Sequence, residues 1–196
     1  MRSHADTGTT FRVALTFDAE HPDRPHRAGV TAAIIELLAE RHVPTTWFLQ
    51  GRWVEAFPDL ARQVVADGEG ITVLAEINVT GAVDNAQAKA IARRIATSPL
   101  VKTALFGHDA NWGRVLMAAG SAPWNGGYAA VEPEKITLRY NGSVVLDRGT
   151  PTDVEPDVAG PSCTIDLDLG LGPGSAGYLT SDLSYDYVRI NADYRT

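Results

Sequence analysis

A chain of 196 residues is long enough for one domain with a real core or for two small ones. With 44% hydrophobic and 21% charged residues it has a globular rather than a disordered composition, and a formal net charge of −7 without a basic stripe argues against a nucleic-acid partner. The single cysteine, Cys163, excludes an intrachain disulfide and a zinc site built on several thiolates. No apolar run approaches the ~20 residues of a membrane helix, and Met1 to Thr10 lacks the apolar stretch of a signal peptide. The expectation is a soluble, cytoplasmic chain with no membrane partner, no cofactor and no metal.

The first third reads as two βα units. Phe11 to Phe17 alternates as a strand does, and Val30 to Arg41 carries Ala33, Ile34, Leu37 and Leu38 at helical spacing. Thr45 to Leu49 is a second short strand. Val54 to Ala66 is helical again, with Pro58 in its first turn and Gly68 as its stop. Ile71 to Thr80 then sets Ile71, Val73, Ala75, Ile77 and Val79 on one face of a long strand. Asp84 to Ala96 is a helix opened by Asp84 and Gln87, a capping-box pair with Asp in place of Ser or Thr. Ser98-Pro99 opens a helix that runs to Phe106, and Asn111 caps another, Trp112 to Ala119, that Gly120 ends. Asn141-Gly142 between Ile136–Tyr140 and Ser143–Leu146 is the strongest short hairpin signal. Asp147 to Pro161 is loop by its Pro, Gly and Asp content. Ser162 to Leu169 and Ala176 to Thr180 are strands around a glycine-rich turn, and the last fifteen residues form a short element. The elements predict an α/β fold, a mixed sheet with packed helices, with two small α/β subdomains, 1–68 and 69–196, as the alternative arrangement.

Six runs in the second part resemble the bifunctional ornithine acetyltransferase / glutamate N-acetyltransferase family in order and spacing. They are Leu60 to Gly70 (LARQVVADGEG), Ile77 to Ala82 (INVTGA), Ser98 to Ala104 (SPLVKTA), Asp109 to Val115 (DANWGRV), Ser181 to Val188 (SDLSYDYV) and Arg189 to Thr196 (RINADYRT). The resemblance covers nearly all of residues 60–196. It implies acetyl transfer from N-acetylornithine to glutamate in arginine biosynthesis, and an oligomer assembled from two chain types. In that family a precursor cleaves itself before a threonine whose hydroxyl then carries the acetyl group, with its own α-amine as base. That threonine and the oxyanion donors lie upstream of the matched region. Thr45 and Thr46 do not replace the threonine, since Val-Pro-Thr-Thr-Trp-Phe-Leu does not resemble the cleavage segment. The implied chain is inactive alone.

Three substrate-binding positions carry over by motif: Glu69 of Asp-Gly-Glu-Gly, Asn191, and Thr196. A carboxylate, an amide and a threonine can hold an ammonium and a carboxylate through charge-assisted hydrogen bonds. By residue type alone, Glu69 reads as a solvated residue after a helix end and Asn191 as a turn residue. Lys102 reads as a solvated or snorkelling side chain, Trp112 as core, and Arg114, Asp182 and Asp186 as members of ordinary ion pairs.

Val13 to Asp23 (VALTFDAEHPD), Val43 to Trp53 (VPTTWFLQGRW) and Pro58-Asp-Leu-Ala61 resemble the start of a polysaccharide deacetylase domain, a metal-dependent carbohydrate deacetylase built as a distorted βα barrel. Asp18 matches that family's catalytic base, but the next position, normally a metal ligand, is Ala19. The histidine pair expected soon after Asp67-Gly68 is absent. A hydrolytic metal needs about three protein ligands, so the resemblance implies a remnant. The two resemblances meet at Leu60 to Gly68, where the chain reads as chimeric. A third alternative is a non-catalytic α/β module.

Overall fold

The structure, a computed structural model, describes residues 15–19, 29–41, 45–49, 56–66 and 70–192. The chain divides into two compact units, Met1–Leu60 and Ala61–Thr196. In the first unit, β1 (Leu15–Ala19), α1 (Val30–Glu40) and β2 (Thr45–Leu49) follow in the expected order. The two strands pair in parallel with Leu15 opposite Thr45 and Ala19 opposite Leu49. Residues 11–14, the start of the predicted first strand, lie outside the described residues. Helix α2 (Pro58–Ala66) begins at the proline, whose missing N–H is harmless in a first turn. Its expected stop, Gly68, lies outside the described residues.

The second unit is built on a six-stranded mixed sheet in the order β10-β3-β9-β6-β7-β8. Its strands are β3 (Leu74–Ala82), β6 (Thr137–Tyr140), β7 (Ser143–Asp147), β8 (Thr150–Pro151), β9 (Ser162–Asp168) and β10 (Gly174–Ser181). A two-residue ladder, β4 (Pro123–Trp124) with β5 (Gly127–Tyr128), stands apart. The helices are α3 (Asn85–Ala96), α4 (Pro99–Phe106), α5 (Trp112–Gly120) and α6 (Tyr185–Ala192). This is the mixed α/β architecture the periodicities predict. Among the described residues no helix is long and apolar enough to cross a membrane.

Period-2 patterning sets the core face of the sheet. Val73, Ala75, Ile77 and Val79 are buried together, and the register puts Ala75 opposite Cys163, Ile77 opposite Ile165 and Val79 opposite Leu167 on β9. Tyr140 and Leu138 of β6 continue the same layer opposite Ile165 and Leu167. Helix α3 covers β3 and β10 with Ala88, Ile91, Ala92, Ile95 and Ala96. The alanines let the helix approach the sheet closely while the isoleucines fill the space between.

Local signals are met where they are short-range. Asp84 accepts a bond from the Gln87 N–H at 2.7 Å. Gln87 in turn accepts from the Val83 N–H at 3.0 Å, one residue earlier than in a regular capping box. Asn111 accepts from the Arg114 N–H at 3.1 Å and so caps α5. Ser98 holds the N-cap position of α4, but its side chain makes no capping bond. Asn141 and Gly142 both take positive φ, as a type I′ hairpin turn requires.

The main departure concerns β9 and β10. They flank the glycine-rich turn as expected but do not pair, because β3 lies between them, parallel to β9 and antiparallel to β10. The turn crosses the end of β3, where the N–H groups of Leu171 and Gly172 donate to the Gly81 carbonyl. Gly174 is needed here because a Cβ would stand 2.2 Å from the Asp84 carbonyl.

Ile77→Ala is expected to lower unfolding stability by about 2–5 kcal/mol, the range for emptying a fully buried isoleucine site. Urea unfolding with an unchanged slope checks it.

Candidate functional site

At the start of β3 the chain is tied to the approach to α6. Asp182 follows β10 directly and is wholly buried. One of its carboxylate oxygens accepts from the N–H groups of Thr72 and Val73 at 3.0 and 3.2 Å, and the other accepts from the Thr72 hydroxyl at 2.7 Å. Its own N–H donates to the Val73 carbonyl at 3.0 Å. The side chain thus extends the β3–β10 ladder beyond its last backbone pair, Leu74 with Ser181. A buried carboxylate in this position is satisfied rather than exposed as an isolated charge.

Ser184 makes the second tie. Its hydroxyl donates to the Gly70 carbonyl and accepts from the Tyr187 N–H at 2.9 Å. The second bond is the N-cap of α6, with Ser at the position where its short oxygen reaches the third helical N–H. Gly70 has φ +81°, and a Cβ there would meet the Tyr187 nitrogen at 2.8 Å. Only glycine lets the two backbones come this close.

Lys102 on α4 makes a third tie. Its ammonium donates to the Ser181 carbonyl and, at 3.2 Å each, to the hydroxyls of Thr180 and Ser181. Its carbonyl accepts from the Leu183 N–H at 3.1 Å. Burial lowers the Lys102 pKa, and the neighbouring Asp182 pulls it back up. The rings of Phe106 and Tyr185 meet edge to face, centroids 5.3 Å apart, and add an aromatic contact between α4 and α6.

The sequence-predicted residues distribute unevenly around this brace. Glu69 and Thr196 lie outside the described residues. Asn191 is in the last turn of α6, so the turn-residue reading of its backbone is corrected. Glu69 precedes Gly70 in the chain, and Asn191 belongs to the helix that Ser184 caps. Asp18 is on β1, opposite Phe48 of β2. Thr45 and Thr46 are on β2.

Three further readings are corrected. Lys102 is braced rather than solvated, because the end of β10 supplies three acceptors within its reach. Trp112 opens α5 and is 37% exposed, so it is not a core residue. Arg114 donates to the Leu100 carbonyl at 3.0 Å and the Thr103 hydroxyl at 3.4 Å, at the junction of α4 and α5, rather than to a carboxylate. Asp186 does pair, with Arg189 one turn on, in an exposed ion pair at 3.1 Å. Asp182 and Ser184 had only a weak local signal, the Ser184 cap before an eight-residue helix.

Two other features provide no ligand-holding groups among the described residues. A groove at the start of α3, lined by Val83, Asp84, Asn85, Ala86, Pro173 and Gly174, already uses its polar groups. Asp84 caps the helix and Asn85 accepts from the Ser175 N–H at 2.9 Å. Among the described residues, no group of three His, Cys, Asp or Glu side chains gathers as metal ligands would.

Comparisons with known proteins agree with this framework. The model of the ArgJ family matches residues 31–196. The arginine biosynthesis bifunctional protein ArgJ of Syntrophotalea carbinolica is 44% identical over 144 residues, covering 70% of this chain and 35% of that protein. The protein of the same name from Mycolicibacterium paratuberculosis is 39% identical over 191 residues, 96% of this chain and 46% of that protein. The chain therefore spans less than half the length of these curated relatives. The crystal structure of the arginine biosynthesis bifunctional protein ArgJ from Bacillus halodurans superposes with a TM-score of 0.61 at 28% identity, covering 92% of this chain and 98% of that one. The family match and the M. paratuberculosis alignment both extend into residues 11–68, the segment with deacetylase-like runs.

Asp182→Ala is expected to lower stability by about 1–3 kcal/mol, since it strands the buried Val73 N–H among others. Chemical unfolding of the variant checks it. Burial, aided by the nearby Asp166, pushes the Cys163 thiol up to about 11. Only the thiolate alkylates. Iodoacetamide at neutral pH should therefore leave native Cys163 unmodified and label it on unfolding, as mass spectrometry would show.

Proposed function

The chain belongs to the ArgJ family, and on that premise we propose that it carries one part of an amino-acid site for acetyl transfer from N-acetylornithine to glutamate. The family match over residues 31–196 is the observation that carries this reading. In the exchange the amide bond of N-acetylornithine breaks, ornithine leaves as the amine, and a new amide forms on the glutamate nitrogen. A hydroxyl nucleophile holds the acetyl group between the two steps. Glu69 supplies negative charge for a ligand ammonium. Asn191 and Thr196 supply polar groups for the carboxylate end. The described brace supports the reading, because it ties the segment after Glu69 to the helix bearing Asn191.

By itself the chain should turn over N-acetylornithine and glutamate far below the ~1–10³ s⁻¹ usual for enzymes, because none of the six family-like runs includes the self-cleaving threonine segment. A radiolabelled acetyl-transfer assay reads this, and turnover in that range sinks the inactive-alone reading. Binding is the sharper test. Isothermal titration should show N-acetylornithine, ornithine or glutamate bound, with the heat lost in Glu69→Ala. No heat from the unmodified chain would leave a non-catalytic α/β module.

A metal-dependent deacetylase remnant is the second reading, resting on Asp18, its flanking runs and the parallel pairing of β1 with β2. Loading with zinc, cobalt or nickel followed by native mass spectrometry decides it. A chain that retains no metal removes this reading.

A further inference from the structure

The brace at the start of β3 does more than its local bonds require. Ser184 needs only its acceptor lone pair to cap α6, a role it fills toward the Tyr187 N–H. Its proton is spent elsewhere, on the Gly70 carbonyl 114 residues back in the chain. Asp182 reaches the same segment through Thr72 and Val73, 110 and 109 residues away. Lys102 holds the intervening Ser181 and Leu183 from a third element. Gly70, with no Cβ, brings its backbone against that of Tyr187. The Ser184 bonds, the Asp182 bonds and the close approach at Gly70 thus join Gly70–Val73 to the segment Asp182–Tyr187, and Lys102 steadies the residues between β10 and α6.

We propose that Asp182 and Ser184 are positioning residues for amino-acid binding: they fix the backbone that follows Glu69 against the helix that carries Asn191. This rests on the reading of Glu69 and Asn191 as ligand-holding residues. A ligand with an ammonium at one end and a carboxylate at the other demands a set distance between the groups that hold it, and a misplacement of about an ångström is enough to lose binding or rate. Ser184 ties the Gly70 carbonyl to the first turn of α6 through one hydroxyl with two partners. Asp182 prevents the start of β3 from sliding along β10. Neither side chain needs to touch the ligand.

The test separates positioning from plain stability. Ser184→Ala removes both bonds, and Ser184→Thr keeps a hydroxyl that can make both. Asn111→Ala removes the equivalent cap from α5, away from the brace, and supplies a comparable loss of Tm. Titrations with N-acetylornithine should show Ser184→Ala binding at least about tenfold more weakly, a change of about 1.4 kcal/mol. Ser184→Thr and Asn111→Ala should both stay within about twofold of the unmodified chain, well under that step. Glu69→Ala on the Ser184→Ala background should add less than it does alone, the signature of coupled residues. Amide exchange should rise at Thr72 and Val73 in Ser184→Ala, not only at Tyr187 and Val188.

Ser184→Ala binding like the unmodified chain, or no more weakly than Asn111→Ala, overturns the proposal while the amino-acid site stands. So does unchanged exchange at Thr72 and Val73. An unmodified chain that binds no N-acetylornithine, ornithine or glutamate sinks the site itself, and the positioning role with it.

Discussion

The second unit depends on β3 being held between two neighbours of opposite direction. Its core face, Val73 through Val79, is sealed by α3, and its register with β9 places isoleucine against isoleucine at Ile77 and Ile165. A slip of one residue would turn that whole set to the opposite face. The parallel pairing with β9 needs a long crossover, and α3, α4, α5 and the β6–β7 hairpin are all threaded through it. The position of β3 therefore sets where β9 and β10 pair.

Both ends of β3 are fastened to β10, by different means. Where β3 ends, the turn before β10 lies on the Ala82–Asp84 backbone, and the absence of side chains at Gly172 and Gly174 permits it. Where β3 begins, side chains do the work. Asp182 supplies acceptors beyond the backbone ladder, and Ser184 joins Gly70 to α6. One end is closed by shape and the other by hydrogen bonds. The hydrogen-bonded end is the one that holds Gly70 and the first turn of α6.

Family membership and the brace bear on the same region from separate directions. The family match runs to residue 196, and the ties concentrate on the segments either side of the motif-matched positions. The chain spans 35% and 46% of the two relatives described above. Among the described residues, every buried side-chain nitrogen or oxygen has a hydrogen-bond partner.

Much of the local structure was legible in the sequence by itself. The Asn141-Gly142 turn, the Asp84 and Asn111 caps, the bounds of α3 and α4, and the alternation of β3 each arise from interactions spanning a few residues. Such interactions leave a periodicity or a dipeptide behind. The order of strands did not, because β9 and β10 carry the same alternation whether they pair with each other or with β3 between them. Helical spacing does not say whether a helix's first residue points into a core, and Trp112 at the start of α5 is exposed. By residue type Asp182 reads as an ion-pair member and Lys102 as a solvated or snorkelling side chain, yet their partners and those of Ser184 stand about 80 to 110 residues away along the chain. The sequence alone determined the longer helices and strands and the family motifs, because short-range sterics and hydrogen bonds specify them, but not β8, which lies in the segment expected to be loop. Only the tertiary structure decided which strand separates β9 from β10 and which buried polar groups tie β3 to α6, because chain folding brings those partners together and no local pattern records it.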